Sequence, residues 1–297
     1  MTLEPSLSSL LRHASGLLGG IGAGNPRLEA EYLLSHAFGL ERIELLRRGP
    51  REIIPEGVRA RFDELLSRRL AREPLQYILG TVPFGELELL VGPGVLIPRS
   101  ETEVLVERVA RAAAAMPVGR EAEEAPALRR LVDVGTGSGA ILLALLDRLP
   151  GWTGTGIERS AGALAWARRN QRRTRSGGRA TLVRGSLLDP VRSGTATIVV
   201  SNLPYIRTVD IPDLAVEIRE HEPREALDGG EDGLRLVRPF LEDAIRVLRP
   251  GGLLALELAP DQPEVVRKWA RASGAFADVV IYQDLADRPR GILARRV

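Results

Sequence analysis

The chain has 297 residues, enough for about two domains, and 44% of them are hydrophobic, enough for a sizeable core. It contains no Cys, only His13, His36 and His221, and no apolar run near the roughly 18 residues of a membrane span. These counts exclude a disulfide framework, a thiolate nucleophile and a Cys-ligated metal, and leave little for a zinc site. The net charge is only +2, and Lys268 is the sole Lys among 41 basic residues, so the Arg bias is weak support for a nucleic-acid partner. No basic segment followed by an apolar one opens the chain. A cytoplasmic protein with no bound metal, no membrane anchor and no signal peptide is expected.

Residues 1–73 read as helices. Leu7, Leu10, Leu11, Leu17 and Leu18 recur at helical spacing. Asn25-Pro26 reads as an N-cap with Pro at the first helical position, opening a helix over 27–38 that Gly39 ends. Pro55 opens another, with Val58, Phe62, Leu65, Leu66 and Leu70 inward and arginines outward. His13 and His36 are expected as helix-surface or packing residues rather than as ligands.

Residues 74–98 change character. Eight Pro and Gly residues punctuate β-prone pieces at 77–79 and 87–91, which predicts a linker holding a hairpin. Ser100 followed by Glu103 predicts a capping box at the start of the next helix. Residues 112–127 are rich in small and acidic residues and read as a solvated loop. From 128 to 297, strands alternate with helices. The pattern predicts strands at 131–134, 155–158, 180–183, 197–201, 253–258, 276–282 and 291–296, and helices at 140–149, 161–173, 233–248 and 265–272. The fold class is therefore α/β, a Rossmann-like doubly wound sheet behind an all-helical N-terminal domain. Expected bounds are 1–73 for the helical domain, 74–98 for the linker and 99–297 for the α/β domain.

Two constellations carry chemistry. The strand at 197–201 stops at Asn202-Leu203-Pro204-Tyr205, because Pro204 cannot donate to a ladder and biases Leu203 to extended backbone. The strand's carboxyl end thus presents one amide side chain, free carbonyls and one aromatic face, where open α/β sheets bind ligands. Such a set suits a planar neutral NH2 group: Asn202 Oδ1 and the Leu203 carbonyl accept its hydrogens and Tyr205 stacks on its plane. A plain Pro turn with a surface Tyr is the alternative.

The second constellation is Asp133-Val134-Gly135-Thr136-Gly137-Ser138-Gly139, a glycine turn between strand and helix. Its partner is Glu158, about 20 residues further on, where a carboxylate accepts both hydroxyls of a ribose. The spacing is Gly-x-Gly-x-Gly rather than Gly-x-Gly-x-x-Gly, and Asp133 precedes the first Gly by two. That acidic residue favours a cationic, phosphate-free ligand such as S-adenosylmethionine over a dinucleotide pyrophosphate. A purely structural glycine turn is the third reading.

With both constellations in place, the chain resembles the class I S-adenosylmethionine methyltransferases, and more closely the HemK/PrmC family, N5-glutamine methyltransferases of peptide chain release factors. The resemblance covers nearly the whole chain. It rests also on Leu96-Ile97-Pro98-Arg99-Ser100-Glu101-Thr102-Glu103 and on His221-Glu222-Pro223-Arg224-Glu225-Ala226-Leu227-Asp228-Gly229-Gly230-Glu231-Asp232-Gly233, both more specific than the glycine turn. It implies that Gly135, Thr136, Gly137, Ser138 and Gly139 line the methionine part of S-adenosylmethionine, with Asp133 and Asn202 also in that site. It implies that Glu158 binds the ribose and that Ser186 and Leu187 lie beside the adenine. S-adenosylhomocysteine would be the product. Asn202, Leu203, Pro204 and Tyr205 would hold the substrate amide, with Asn202, Pro204 and Tyr205 as the catalytic set.

The implied partner is a class I release factor, methylated at the glutamine of its Gly-Gly-Gln motif. The enzyme is expected to be monomeric, with no membrane and no nucleic-acid substrate. Two departures stand out. Leu203 replaces the first Pro of the usual Asn-Pro-Pro-Tyr, which keeps the backbone carbonyl but frees φ. Ser186 stands where an acidic residue is common. The alternatives are an adenine-N6 DNA or RNA methyltransferase, for which the Arg168, Arg169, Arg172, Arg173, Arg175, Arg179 cluster would contact phosphates, a glutamine methyltransferase of a ribosomal protein, or a non-catalytic ribosome-associated binding module.

Overall fold

The structure is a computed structural model that describes residues 6–116 and 129–297. Two compact units divide the chain: residues 1–81 with 215–221, and residues 82–214 with 222–297.

The first unit is helical. Its helices are α1 (Leu7–Gly20), α2 (Pro26–Phe38), α3 (Arg42–Leu46), α4 (Glu56–Leu70) and α5 (Leu75–Leu79). Asn25 caps α2 as expected: its side chain accepts from the Leu28 N–H at 3.2 Å, and Gly39 ends the helix at φ +70°. Leu10, Leu18, Leu33, Leu34 and Phe62 form the core. Glu31 is buried in this unit. Burial alone would raise its pKa, but the guanidinium groups of Arg27 and Arg42, at 2.7 Å each, hold it below the usual carboxylate range.

The β-prone piece expected at 77–79 is instead α5. Pro74 starts the turn, Tyr77 and Ile78 are buried on one side of it, and Gly80 in left-handed backbone closes it. Local β propensity loses here to burial of two large side chains. A sixth piece of this unit comes from far down the chain. Residues 215–221 carry a short helix, Val216–His221, whose Glu217 accepts from Arg69 at 3.0 Å and Arg72 at 2.7 Å.

The second unit is α/β. It opens with a hairpin, β1 (Thr81–Phe84) and β2 (Leu87–Leu90), then α6 (Ser100–Ala114). The capping box expected at Ser100 and Glu103 does not form. The cap residue is Arg99, and the Ser100 hydroxyl instead donates to Glu101 at 3.0 Å. Of the loop expected at 112–127, residues 112–114 are the last of α6 and 117–127 lie outside the described residues.

The following elements are β3 (Arg130–Val134), α7 (Ala140–Arg148), β4 (Thr153–Glu158), α8 (Ala161–Arg173), β5 (Ala180–Arg184) and β6 (Ala196–Ser201). After a short parallel pair, β7 (Ile206–Arg207) with β8 (Asp228–Gly230), and the helix at 216–221 (α9), come α10 (Val237–Val247), β9 (Leu248–Glu257), α11 (Pro263–Ala272), β10 (Phe276–Gln283) and β11 (Pro289–Arg296). Helix α10 starts later than the expected 233, because Gly233 sits at φ +74° and the Leu234 N–H donates to the Asp232 side chain.

These strands form a seven-stranded sheet, β10-β11-β9-β6-β3-β4-β5. β11 is antiparallel to both its neighbours, and the other pairs are parallel. β6 is buried along its whole length, which fits its central Ile198-Val199-Val200 run. The order reverses between β3 and β6, so their carboxyl ends splay apart and open a crevice. Among the described residues no helix is long and apolar enough to cross a membrane.

Candidate active site

A cavity of about 110 Å³ lies in that crevice, at the carboxyl ends of the strands where open α/β sheets bind ligands. Gly135, Thr136, Gly137 and Ser138 follow β3 into it, Glu158 and Ser160 follow β4, and Asn202 and Pro204 follow β6. Leu96, Pro98, Arg99 and Thr102 form a second wall, and Pro223, Glu225 and Ala226 a third.

The glycine turn is built to let a ligand approach backbone. Gly135, Gly137 and Gly139 all adopt positive φ, which L side chains rarely tolerate. A Cβ on Gly139 would also lie 3.1 Å from Leu143, so this glycine packs α7 rather than lining the cavity. Asp133 is fully buried and does not line the cavity either, which corrects the expectation that its charge faces a cationic ligand. Its Oδ2 accepts from the Thr136 hydroxyl at 2.6 Å and the Leu142 N–H at 3.2 Å, stapling the turn shut from below. Burial pushes its pKa up to about 7, against the pull of those two donors. Glu158 faces the cavity with its carboxylate pinned by two backbone amides, Gly137 N–H at 3.0 Å and Ser160 N–H at 2.8 Å. A carboxylate has about four acceptor positions, so two remain for hydroxyl donors.

On the opposite side the Asn202 side chain donates through Nδ2 to the Thr102 hydroxyl at 3.0 Å. Leu203 turns its side chain into the core, with 3% of it exposed. Tyr205 does not line the cavity. Its hydroxyl donates to Glu257 at 3.3 Å and accepts from Arg290 at 2.8 Å, and the Arg290 guanidinium lies 5.4 Å from its ring centre. A phenol that is mostly out of water needs such partners. Burial raises the pKa of Tyr205, and the neighbouring Glu257 charge raises it further. Glu257 is itself fully buried at the carboxyl end of β9. Burial raises its pKa, opposed by Arg290, Thr102 and Tyr205. Behind the second wall, the buried Glu222 joins two segments: it accepts from the Ile97 N–H at 3.1 Å and from Arg99.

The loop after β5 sits apart from this cavity. Ser186 is exposed, with its carbonyl accepting from the Asp189 N–H at 3.2 Å, and Leu187, at φ +43°, leans partly on the core. Neither lines the cavity.

Residues 9–80 match a family model described as the PrmC N-terminal domain, and residues 131–221 match a methyltransferase domain. The chain is 42% identical over 295 residues to a release factor glutamine methyltransferase of Geobacter sulfurreducens, covering 98% of this chain and 97% of that one. It is 41% identical over 296 residues to the one from Moorella thermoacetica, covering 100% and 99%. The chain belongs to the release factor glutamine methyltransferase family. Its fold is shared by the N-terminal domain of human METTL16 solved in complex with SAH, with a TM-score of 0.51, 18% identity, and 77% and 83% of the two chains covered.

As a member of that family the protein is an S-adenosylmethionine-dependent methyltransferase. The cavity fits that donor: glycines leave room for close approach, and Glu158 has free acceptor positions for a ribose. Of the residues expected in the site, Gly135, Thr136, Gly137, Ser138, Glu158, Asn202 and Pro204 meet in one cavity, whereas Asp133, Gly139, Ser186, Leu187, Leu203 and Tyr205 do not line it. Sequence reading missed Thr102, Ser160, Glu257 and Arg290. A usable signal existed for Glu257, the only charge in the run Leu253-Leu254-Ala255-Leu256-Glu257-Leu258. A carboxylate inside an apolar strand needs a partner, and its strand end faces the ligand edge.

Proposed function

We propose that this enzyme transfers the methyl group of S-adenosylmethionine to the side-chain amide nitrogen of the glutamine in the Gly-Gly-Gln motif of a class I release factor. The observation that carries this reading is the Asn202 side chain. Its Nδ2 gives one of its two hydrogens to Thr102, which supports the orientation with Oδ1, an acceptor, toward the cavity. An acceptor there suits an NH2 group and not a carbonyl or an anion.

A carboxamide nitrogen is a poor nucleophile because its lone pair is delocalised. The sulfonium donor supplies an activated methyl group when bound. The protein's task is orientation. Asn202 Oδ1 and the Leu203 carbonyl accept the two amide hydrogens and hold the nitrogen in line. These bonds strengthen as positive charge develops on nitrogen. Glu158 holds the donor's ribose, and the glycine turn lets its methionine part lie against backbone. Arg290 and Glu257 keep Tyr205 from swinging, so the Pro204-Tyr205 backbone stays in place. No strong base is needed, since the nitrogen becomes acidic once methylated. The helical unit is the candidate for release-factor recognition, and the enzyme acts as a monomer in the cytoplasm.

The test uses labelled donor, the full-length enzyme and a purified class I release factor. Label should enter the release factor and not its variant with the motif Gln replaced by Ala. Label in adenine of DNA or RNA, in a ribosomal protein instead, or in nothing despite donor binding by calorimetry, would overturn the reading.

A further inference from the structure

Charge is spread unevenly over the α/β unit. Residues 159–188 carry eight Arg and no Asp or Glu, in a chain whose 41 basic and 39 acidic residues nearly cancel. The Arg bias of the whole chain does not account for this. Helices α6, α7, α10 and α11 each mix acidic with basic residues, whereas α8 carries Arg alone. Four of its seven exposed residues are Arg168, Arg169, Arg172 and Arg173, and the other three are Ala or Gly. Arg168 with Arg172, and Arg169 with Arg173, are like-charge neighbours four positions apart, a spacing that destabilises a helix. Arg172 and Arg173 complement the dipole in the last turn, but Arg168 and Arg169 sit too far from the end to do so.

The partners sort these side chains. Arg179 is structural: it donates to the Leu149 and Trp152 carbonyls at 2.9 Å each, beyond the end of α7. Arg173 pairs with Glu88 of β2 at 3.3 Å, and Arg184 donates to the Arg159 carbonyl at 3.2 Å. Arg168, Arg172 and Arg175 are exposed and have no ion pair or side-chain hydrogen bond among the described residues. The Arg169 guanidinium lies 4.4 Å from the Trp166 ring centre, and Trp166 Nε1 is anchored to the Pro93 carbonyl at 3.2 Å. This offers a flat cationic plane of the kind on which bases stack. Helix α8 links the parallel strands β4 and β5, so it starts at the cavity edge of the sheet and ends at the opposite edge. Arg172 and Arg175 thus stand away from Asn202.

We propose that the exposed face of α8, continued by Arg175, binds a nucleic-acid strand through its phosphate backbone, without sequence preference and apart from methyl transfer. Unpaired guanidinium forks along one strip match a chain of phosphates. A lipid surface matches poorly, because the face has no large apolar side chain to enter it. An acidic protein would leave the Arg169 plane without a base to stack on it.

The experiment measures fluorescence anisotropy of labelled single-stranded RNA and DNA with the full-length enzyme. Binding at roughly 50 mM salt should weaken as salt rises, with a log–log slope of about −2 to −3, the signature of three or four neutralised phosphates. The variant Arg168→Gln/Arg172→Gln/Arg175→Gln should bind on the order of 10- to 100-fold more weakly, with the slope reduced by about 2. Its Tm and its rate of methyl transfer should match wild type. A charge-matched control, Arg108→Gln/Arg238→Gln/Arg267→Gln on α6, α10 and α11, should bind like wild type. Tighter binding of RNA than DNA supports the proposal and names RNA as the strand. Absence of binding by the wild type at that salt, a triple α8 variant or a control that gives the same loss as the other, or tighter binding of anionic vesicles or polyglutamate than of either strand, overturns it. If the α8 variant does not fold, the salt slope of the wild type and its preference for strands over polyglutamate decide.

Discussion

The Gly137 N–H donates to Glu158 Oε2 at 3.0 Å, tying the turn after β3 to the carboxylate at the end of β4, 21 positions along the chain. One contact thus sets the shape of the donor site and the direction of its main acceptor. Glu158→Ala should lower S-adenosylmethionine affinity roughly 10- to 150-fold, the loss of one hydrogen bond to a charged group. Calorimetric titration of the donor checks this. An affinity equal to wild type would remove Glu158 from the site.

Asn202→Ala should act on the other half of the reaction. Its loss removes a hydrogen bond that strengthens as charge develops, so kcat should fall roughly 10- to 150-fold. Donor affinity should hardly change, because Glu158 and the glycine turn are untouched. A single-turnover rate within twofold of wild type contradicts the role given to Asn202.

Asp133 carries a pH signature. Its folded-state pKa is pushed up to about 7 from 3.8, so between those values the folded protein holds a proton that the unfolded chain has released. The stability it contributes is fully present below about 4 and is lost as the pH rises through about 7. Asp133→Asn keeps an oxygen for Thr136 and Leu142 but does not titrate. Its Tm should therefore change less than that of the wild type between pH 4 and 8. Parallel Tm curves for the two proteins would contradict the assignment.

Gly233 guards the clamp from behind. A Cβ there would lie 2.3 Å from the Tyr205 carbonyl and 2.4 Å from Gln262 Nε2, which itself donates to that carbonyl at 3.0 Å. The backbone also sits at φ +74°. Gly233→Ala should cost about 1–3 kcal/mol in stability and should slow methyl transfer more than it weakens donor binding. A variant with wild-type Tm and rate would show that the segment can yield.

Arg290 and Glu257 form a buried pair at 3.3 Å, with the side chains 11% and 0% exposed. Arg290→Ala leaves the carboxylate without its cation and should cost about 3–5 kcal/mol, a fall in Tm on the order of 10 °C. Adding Glu257→Gln to that variant should recover part of the loss, since the unpaired charge is then gone. Calorimetric Tm values of the two variants decide it.

Much of this was legible from residue order because the signals are local. The β–α alternation, Asn25-Pro26 as a helix start, and the glycine turn followed by Glu158 each depend on a few adjacent residues. The failures share a cause. Residues 77–79 look like a strand, yet Pro74, Gly80 and the burial of Tyr77 and Ile78 make them helical. Ser100 and Glu103 have capping-box spacing, yet Arg99 takes the cap position. Asp133 was expected at the ligand because it precedes the glycines, yet its side chain points into the turn.

The sequence by itself determined the α/β architecture, the strand end at Asn202 to Tyr205 and the pairing of a glycine turn with a carboxylate. Backbone preferences and the alternation of apolar residues act over a few positions, and they suffice for that. Only the tertiary structure decided which polar side chains face the cavity and which brace it. Thr102, Asn202, Glu257 and Arg290 stand far apart in the chain and come together only when β9 pairs with β11 and α6 packs beside the sheet. Burial then forces each polar atom to find its partner among whatever the fold has brought near.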